Sequence, residues 1–175
     1  MTFSNGNRRL RVFLVAAATI CLAGSGCQEE KAEIPNAFAR VLGGRGYVSG
    51  KFYKPRGSWI DPNSGELLVV DWSGRIQRFS KAGQVVASWR MPKVEIGKPE
   101  DLCVKKNGNI LVADTHYSRI VEFSATGKLL ESFGSYGRGP GQFIYPVGIC
   151  LDKDENIYVT EYGENDRVQK FAPDG

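Results

Sequence analysis

Three stretches of this chain are copies of one another. KPRGSWIDPNSGELLVVDWSGRIQRFSKAGQVVASW, KPEDLCVKKNGNILVADTHYSRIVEFSATGKLLESF and YPVGICLDKDENIYVTEYGENDRVQKFAPDG line up on Pro55, Pro99 and Pro146. Asp71, Asp114 and Glu161 then coincide, followed by Arg75, Arg119 and Arg167. Phe79, Phe123 and Phe171 coincide next, then Gly83, Gly127 and Gly175, and Trp89 matches Phe133. The arginines recur after 44 and 48 residues. A period in the forties restricts the chain to a propeller, a solenoid or a helical array, in which small units bury their apolar faces by stacking.

Local chemistry selects among these. ELLVV, NILVA and NIYVT are short runs of β-forming residues, each introduced by turn residues such as Asn107-Gly108. Asn-Gly tolerates positive φ and marks a hairpin. Apolar side chains at successive positions predict strands buried on both faces, and no repeat shows a sustained helical period. Each repeat therefore supplies four short strands, the content of a propeller blade. The fold class is all-β, with blades over about 43–89, 90–133 and 134–175. Gly175 occupies the slot of Gly83 and Gly127, so the third blade lacks its fourth strand. AFARVLGG, residues 37–44, aligns with LLESFGS and reads as a fourth strand without a blade.

From Gly139 to Phe171 the chain resembles an NHL repeat, with Gly-Pro-Gly-Gln-Phe, Pro-Val-Gly-Ile, Asn-Ile-Tyr-Val and an Asn-x-Arg-Val strand ending in Phe. That resemblance implies a toroidal propeller, usually of six blades, used as a binding or sensing platform. Three blades then mean either the first part of a longer ring or a ring shared by two chains, a homodimer.

The N-terminus reads as an export signal rather than as fold. Arg8, Arg9 and Arg11 precede an apolar run over residues 12–23, too short for a permanent span. Gly24, Ser25, Gly26 and Cys27 follow, and the whole resembles a bacterial lipoprotein signal over residues 1–26, with Cys27 as the lipidated residue. Residues 27–37 are a lipidated Cys and polar tether. The expected location is the bacterial cell envelope, outside the cytoplasm and attached to a membrane by lipid. Gln28, where an Asp would resemble an inner-membrane retention signal, points to the outer membrane of a two-membrane envelope. The leader carries three of the 23 basic residues and none of the 19 acidic ones, which leaves a mature charge of +1. Such a balance argues against a nucleic-acid partner.

No catalytic residue, metal site or cofactor is assigned. Metal-dependent lyases among propellers similar to this family use several His, whereas His116 stands alone here. The alternative function is a propeller lyase or hydrolase whose metal ligands lie on blades outside this chain; RNA binding ranks below it. Asp71/Arg75, Asp114/Arg119 and Glu161/Arg167 recur in every blade and are read as structural pairs. The glycine clusters around residues 43–50 and 134–141 are read as connectors between blades. Cys103 and Cys150 share one repeat slot and are expected to be core thiols, not a disulfide. One set does suggest a site. Trp72, His116, Tyr117 and Tyr162 follow the recurring acids, and Tyr136, Arg138 and Tyr145 lie in a connector that opens on the same face, with Arg45, Tyr47 and Tyr53 in its counterpart. Aromatic and Arg side chains on a rigid scaffold suit recognition of a protein or small ligand.

Overall fold

The computed structural model describes residues Arg40–Gly175. The segments read as an export signal and a tether, with Cys27, lie outside the described residues. Each aligned repeat forms an antiparallel sheet. The first blade contains β1 (Pro55–Ile60), β2 (Leu67–Asp71), β3 (Arg75–Phe79) and β4 (Val85–Arg90), paired in chain order. The middle blade contains β5 (Pro99–Val104), β6 (Ile110–Asp114), β7 (Arg119–Phe123) and β8 (Leu129–Phe133). A short parallel pair, β9 (Ser135–Tyr136) and β10 (Gln142–Phe143), connects it to the third blade. That blade has three strands, β11 (Tyr145–Leu151), β12 (Ile157–Tyr162) and β13 (Arg167–Phe171). The repetition extends to register. Pro55 faces Asp71, Pro99 faces Asp114 and Pro146 faces Glu161, and the register shifts immediately afterwards in all three blades. Proline has no N–H to give the ladder, so an irregularity beside it is the economical solution.

Two cores lie between the blades. Leu68, Val70 and Ile76 of the first blade meet Leu102, Val104, Ile110, Val112, Val121 and Phe123 of the middle one. The opposite face of the middle blade, Cys103, Leu111, Ala113 and Ile120, meets Phe143, Ile149, Ile157 and Val159. Every residue of β6 is buried as a result. In β12 burial alternates instead, and Thr160 is exposed. The expectation that NIYVT is buried on both faces is thereby corrected: among the described residues, only one blade packs against it. The same cause corrects the pair of core thiols. Both cysteines are free, but Cys103 is buried and Cys150 exposed.

Residues 40–44 are not a strand, which corrects the fourth-strand reading for the described part of that segment. A strand needs a paired neighbour, and these residues have none among the described ones. Their packing still follows the repeat. Leu42 packs against Phe52, Val69 and Phe79. Its side chain lies over Gly83, as Trp89 lies over Gly127 and Phe133 over Gly175.

Candidate functional site

At one end of the blades, the loops after β2, β6 and β12 meet the connectors that enter β1, β5 and β11. The recurring acid and arginine organise this end. Asp71 pairs with Arg75 at 3.0 Å, Asp114 with Arg119 at 2.9 Å and Glu161 with Arg167 at 2.6 Å. In the first blade Arg75 also donates to the connector carbonyls of Tyr47, of Val48 at 3.0 Å and of Gly46 at 3.4 Å. Arg167 repeats this in the third blade, reaching the carbonyls of Arg138 at 2.7 Å, Gly139 at 2.9 Å and Gln142 at 3.0 Å. A glutamine completes each clasp. Gln77 donates to the Lys51 carbonyl and accepts from the Gly50 amide; Gln169 does the same with Gln142 and Gly141. Gly50 and Gly141 have φ of 78° and 75°, a region where side chains are disfavoured.

The middle clasp is different. Its connector, MPKVEIGK over residues 91–98, has one glycine, and Val121 stands where the other blades have Gln. Arg119 makes no hydrogen bond to a connector carbonyl and lies 4.7 Å from the centre of the Tyr117 ring. Asp114 is fully buried, and its Oδ1 has no hydrogen-bond partner among the described residues. Burial raises its pKa above the ordinary aspartate value, against the opposing pull of Arg119. Burial acts on Glu161 too, but there Arg167, the Ile144 amide and Asn165 outweigh it and the pKa is lowered. Beside the middle connector lies a cavity of about 370 Å³, lined by Trp72, Ser73, residues 94–98 and His116.

Aromatic and basic side chains form a row across this end. Tyr47 stacks on Tyr53 with ring centres 4.8 Å apart, and Tyr53 meets Trp72 edge-on at 5.6 Å. The Trp72 backbone amide donates to the carbonyls of Tyr53 and Lys54, both at 3.1 Å, which ties its loop to the connector. Lys54 and Lys98 each place an ammonium near the Trp72 ring, at 5.2 and 5.3 Å from its centre. Lys98 and His116 share the cavity wall. His116 then meets Tyr145 at 5.8 Å, and Tyr145 stacks on Tyr162 at 5.2 Å.

Of the residues singled out by sequence, Trp72, His116, Tyr145 and Tyr162 thus lie in one row, with Tyr47 and Tyr53 extending it. Tyr117 sits next to His116 in the chain, but its hydroxyl donates to Glu95 at 2.8 Å. Arg138 is paired with Glu164. Tyr136, on β9, is 76% exposed. Lys54 and Lys98 escaped the sequence reading. Their signal is positional: each directly precedes a repeat proline, where the third copy has Tyr145. Among the described residues, no group of three His, Cys, Asp or Glu side chains is arranged to hold a metal ion. A zinc centre of the kind the lyase alternative implies therefore does not fit these residues.

A family model described as "6-bladed beta-propeller" matches residues 91–168. The chain is 34% identical over 137 residues to "Probable peptidyl-alpha-hydroxyglycine alpha-amidating lyase pgal-1" of Caenorhabditis elegans, covering 72% of this chain and 39% of that protein. It is 26% identical over 110 residues to human "NHL repeat-containing protein 3", covering 57% of this chain and 31% of that one. Among solved structures, "Streptogramin B lyase structure" superposes with a TM-score of 0.56 at 20% identity, covering 69% of this chain and 38% of that chain. The chain thus spans about two fifths, or less, of the length of each of these proteins. The sheet topology and these similarities show a β-propeller, with three blades among the described residues, and the human relative is one named for NHL repeats.

Proposed function

We propose that the row from Tyr47 to Tyr162 is the recognition face of an exported, lipid-anchored propeller that binds a protein or other ligand outside the cytoplasm. The observation that carries this reading is the continuity of the row. Tyr47, Tyr53 and Trp72 pack ring against ring, as do His116, Tyr145 and Tyr162, and the cavity wall that Trp72, Lys98 and His116 share joins the two groups, all on backbone held by hydrogen-bonded strands and clasps. Rigid aromatic side chains supply contact area at little cost in conformational entropy. A photo-cross-linking residue at Tyr162 should capture the ligand in cells, and capture should disappear with Trp72→Ala. The same probe at Val86, exposed on β4, should capture nothing; equal capture at both positions would refute the reading. Export and anchoring rest on the leader and Cys27, so Cys27→Ser should abolish acyl labelling and release the protein from the membrane fraction.

An enzymatic reading draws support from the 34% identity to the lyase relative, together with the place of His116 within the row. In that reading these blades contribute substrate contacts, and any metal would be held elsewhere. Turnover of a peptidyl-α-hydroxyglycine by the purified protein, lost in His116→Ala, would favour it over simple binding.

A further inference from the structure

We propose that Lys54 and Lys98 form, around Trp72, a subsite for the anionic group of a small aromatic ligand, either a carboxylate or a phosphate. This rests on the recognition-face reading and names the chemistry it selects. Two ammonium groups at 5.2 and 5.3 Å from one ring centre are at most about 10.5 Å apart. That bound exceeds the Debye length of about 8 Å at physiological salt, so at that bound the two ammonium groups are largely screened from each other and each acts on an anion close to it. No carboxylate among the described residues forms a salt bridge with either lysine. The acids nearby are engaged elsewhere, Asp71 with Arg75 and Ser73, and Glu95 with Tyr117. Two ammonium groups outnumber the one carboxylate in the cavity wall, Glu95, which is held by the Tyr117 hydroxyl, and the positive excess around the ring favours an anion.

A second, independent observation lies in the backbone. Lys54 has φ of 52°, in the left-handed region, although it bears a side chain and directly precedes Pro55. Lys98 and Tyr145, in the same repeat slot, do not share this conformation. Strain of this kind persists where the surroundings over-determine it, and it clusters at ligand sites. Here it accompanies the bond from the Trp72 backbone amide to the Lys54 carbonyl and the placement of the ammonium beside the ring. The adjoining cavity of about 370 Å³, with Val94, Ile96 and His116 in its wall, gives an aromatic group somewhere to go; ligand cavities commonly start at about 300 Å³.

Calorimetry with benzoate, phenyl phosphate and benzyl alcohol tests this directly. The anions should bind, with affinity falling as salt rises, and benzyl alcohol should bind at least about tenfold more weakly. Whichever of benzoate and phenyl phosphate binds more tightly identifies the anionic group. Lys54→Gly and Lys98→Met should each weaken anion binding about tenfold and leave benzyl alcohol unchanged. Lys54→Gly also removes the strain, so its Tm should rise by about 2–4 °C, which separates lost binding from lost folding. Lys128→Met, on a distant turn, should change nothing. Equal affinity for benzyl alcohol and the anions, or wild-type anion binding by both lysine variants, would overturn the subsite and leave the recognition face standing. Binding by none of the three probes would also overturn it, and capture at Tyr162 would then show whether the recognition face survives.

Discussion

The middle and third blades carry the same motif and are held by different means. The middle blade is buried on both faces of β6, yet its clasp leaves Asp114 Oδ1 without a partner. Among the described residues the third blade packs on one side only, yet its clasp is complete, with Arg167 and Gln169 tying Glu161 to the connector. Apolar burial and polar clasping are therefore separable devices for fixing a blade. Where burial is doubled, the connector is freed from the glycine-rich pattern. In the middle blade it forms a cavity wall with Lys98 in it.

The largest expected effect tests the burial half of this comparison. Leu111→Ala in the middle blade should cost about 3 kcal/mol by chemical denaturation, since that side chain is fully enclosed. Val168→Ala in the third blade should cost under about 0.5 kcal/mol, since Val168 is 62% exposed. Equal costs would mean that something covers the open face of the third blade.

Clasp variants should rank the other way. Arg167→Met strips a buried carboxylate of its cation and three carbonyls of a donor, a loss of about 2 kcal/mol. Arg119→Met removes a partner of Asp114 alone, and that carboxyl can take up a proton instead, so about 1 kcal/mol is expected. If Arg119→Met proves the more damaging, the middle clasp is not the looser one.

Much of this comparison is written in the sequence and some of it is not. The alignment of Pro, acid, Arg, Phe and Gly fixes the strands and their register, because each of these residues meets a demand inside its own blade. The acid–arginine pairs are legible for the same reason. Cys150 and Thr160 are not, because their exposure depends on what lies beyond the sheet. A repeated ion pair at the opposite end of the blades is also hidden. Asp61–Arg78, Lys105–Glu122 and Asp152–Lys170 occupy equivalent slots, at 3.0, 2.8 and 3.8 Å. The middle copy has its charges reversed, so comparing residue identities misses it and comparing signs finds it. Within the candidate site, the rings in the acid loops could be placed by spacing. Tyr136 and Arg138 could not, because their connector folds into the β9–β10 pair. Lys54 and Lys98 went unread because a lysine before a proline looks like an ordinary solvated turn.

The two acids should respond to pH in opposite directions. The folded pKa of Glu161 is lowered, so its contribution is present above the unfolded carboxylate value and is lost as pH falls through the folded one. The folded pKa of Asp114 is raised, so its contribution is full below the unfolded value and is lost as pH rises through the folded one. Glu161→Gln should therefore flatten the loss of stability on acidification, and Asp114→Asn should steepen it. At pH 7 Asp114→Asn should be neutral or stabilising by up to about 1 kcal/mol. A matching acid profile in both variants would show that the two clasps are electrostatically alike.

The comparison is cleanest at one repeat slot carrying one residue type, where its mildest substitution, at Cys150, should cost almost nothing. Cys103 is buried between the middle and third blades, and burial pushes its thiol pKa far above the ordinary value. Thiolate, not thiol, is the attacking form. Cys103 should therefore resist a thiol reagent such as iodoacetamide until the chain unfolds. Cys150, in the same slot one blade on, stands exposed on the open face and should be labelled in the native protein. Cys150→Ser should change stability by less than about 0.5 kcal/mol. Cys103→Ser puts a hydroxyl among Leu111, Ile149 and Val159 and should cost about 1–2 kcal/mol. Protection of Cys150 in the native protein, reversed by dilution, would mean that a second copy covers that face; protection that persists on dilution would mean that the face is closed within the chain.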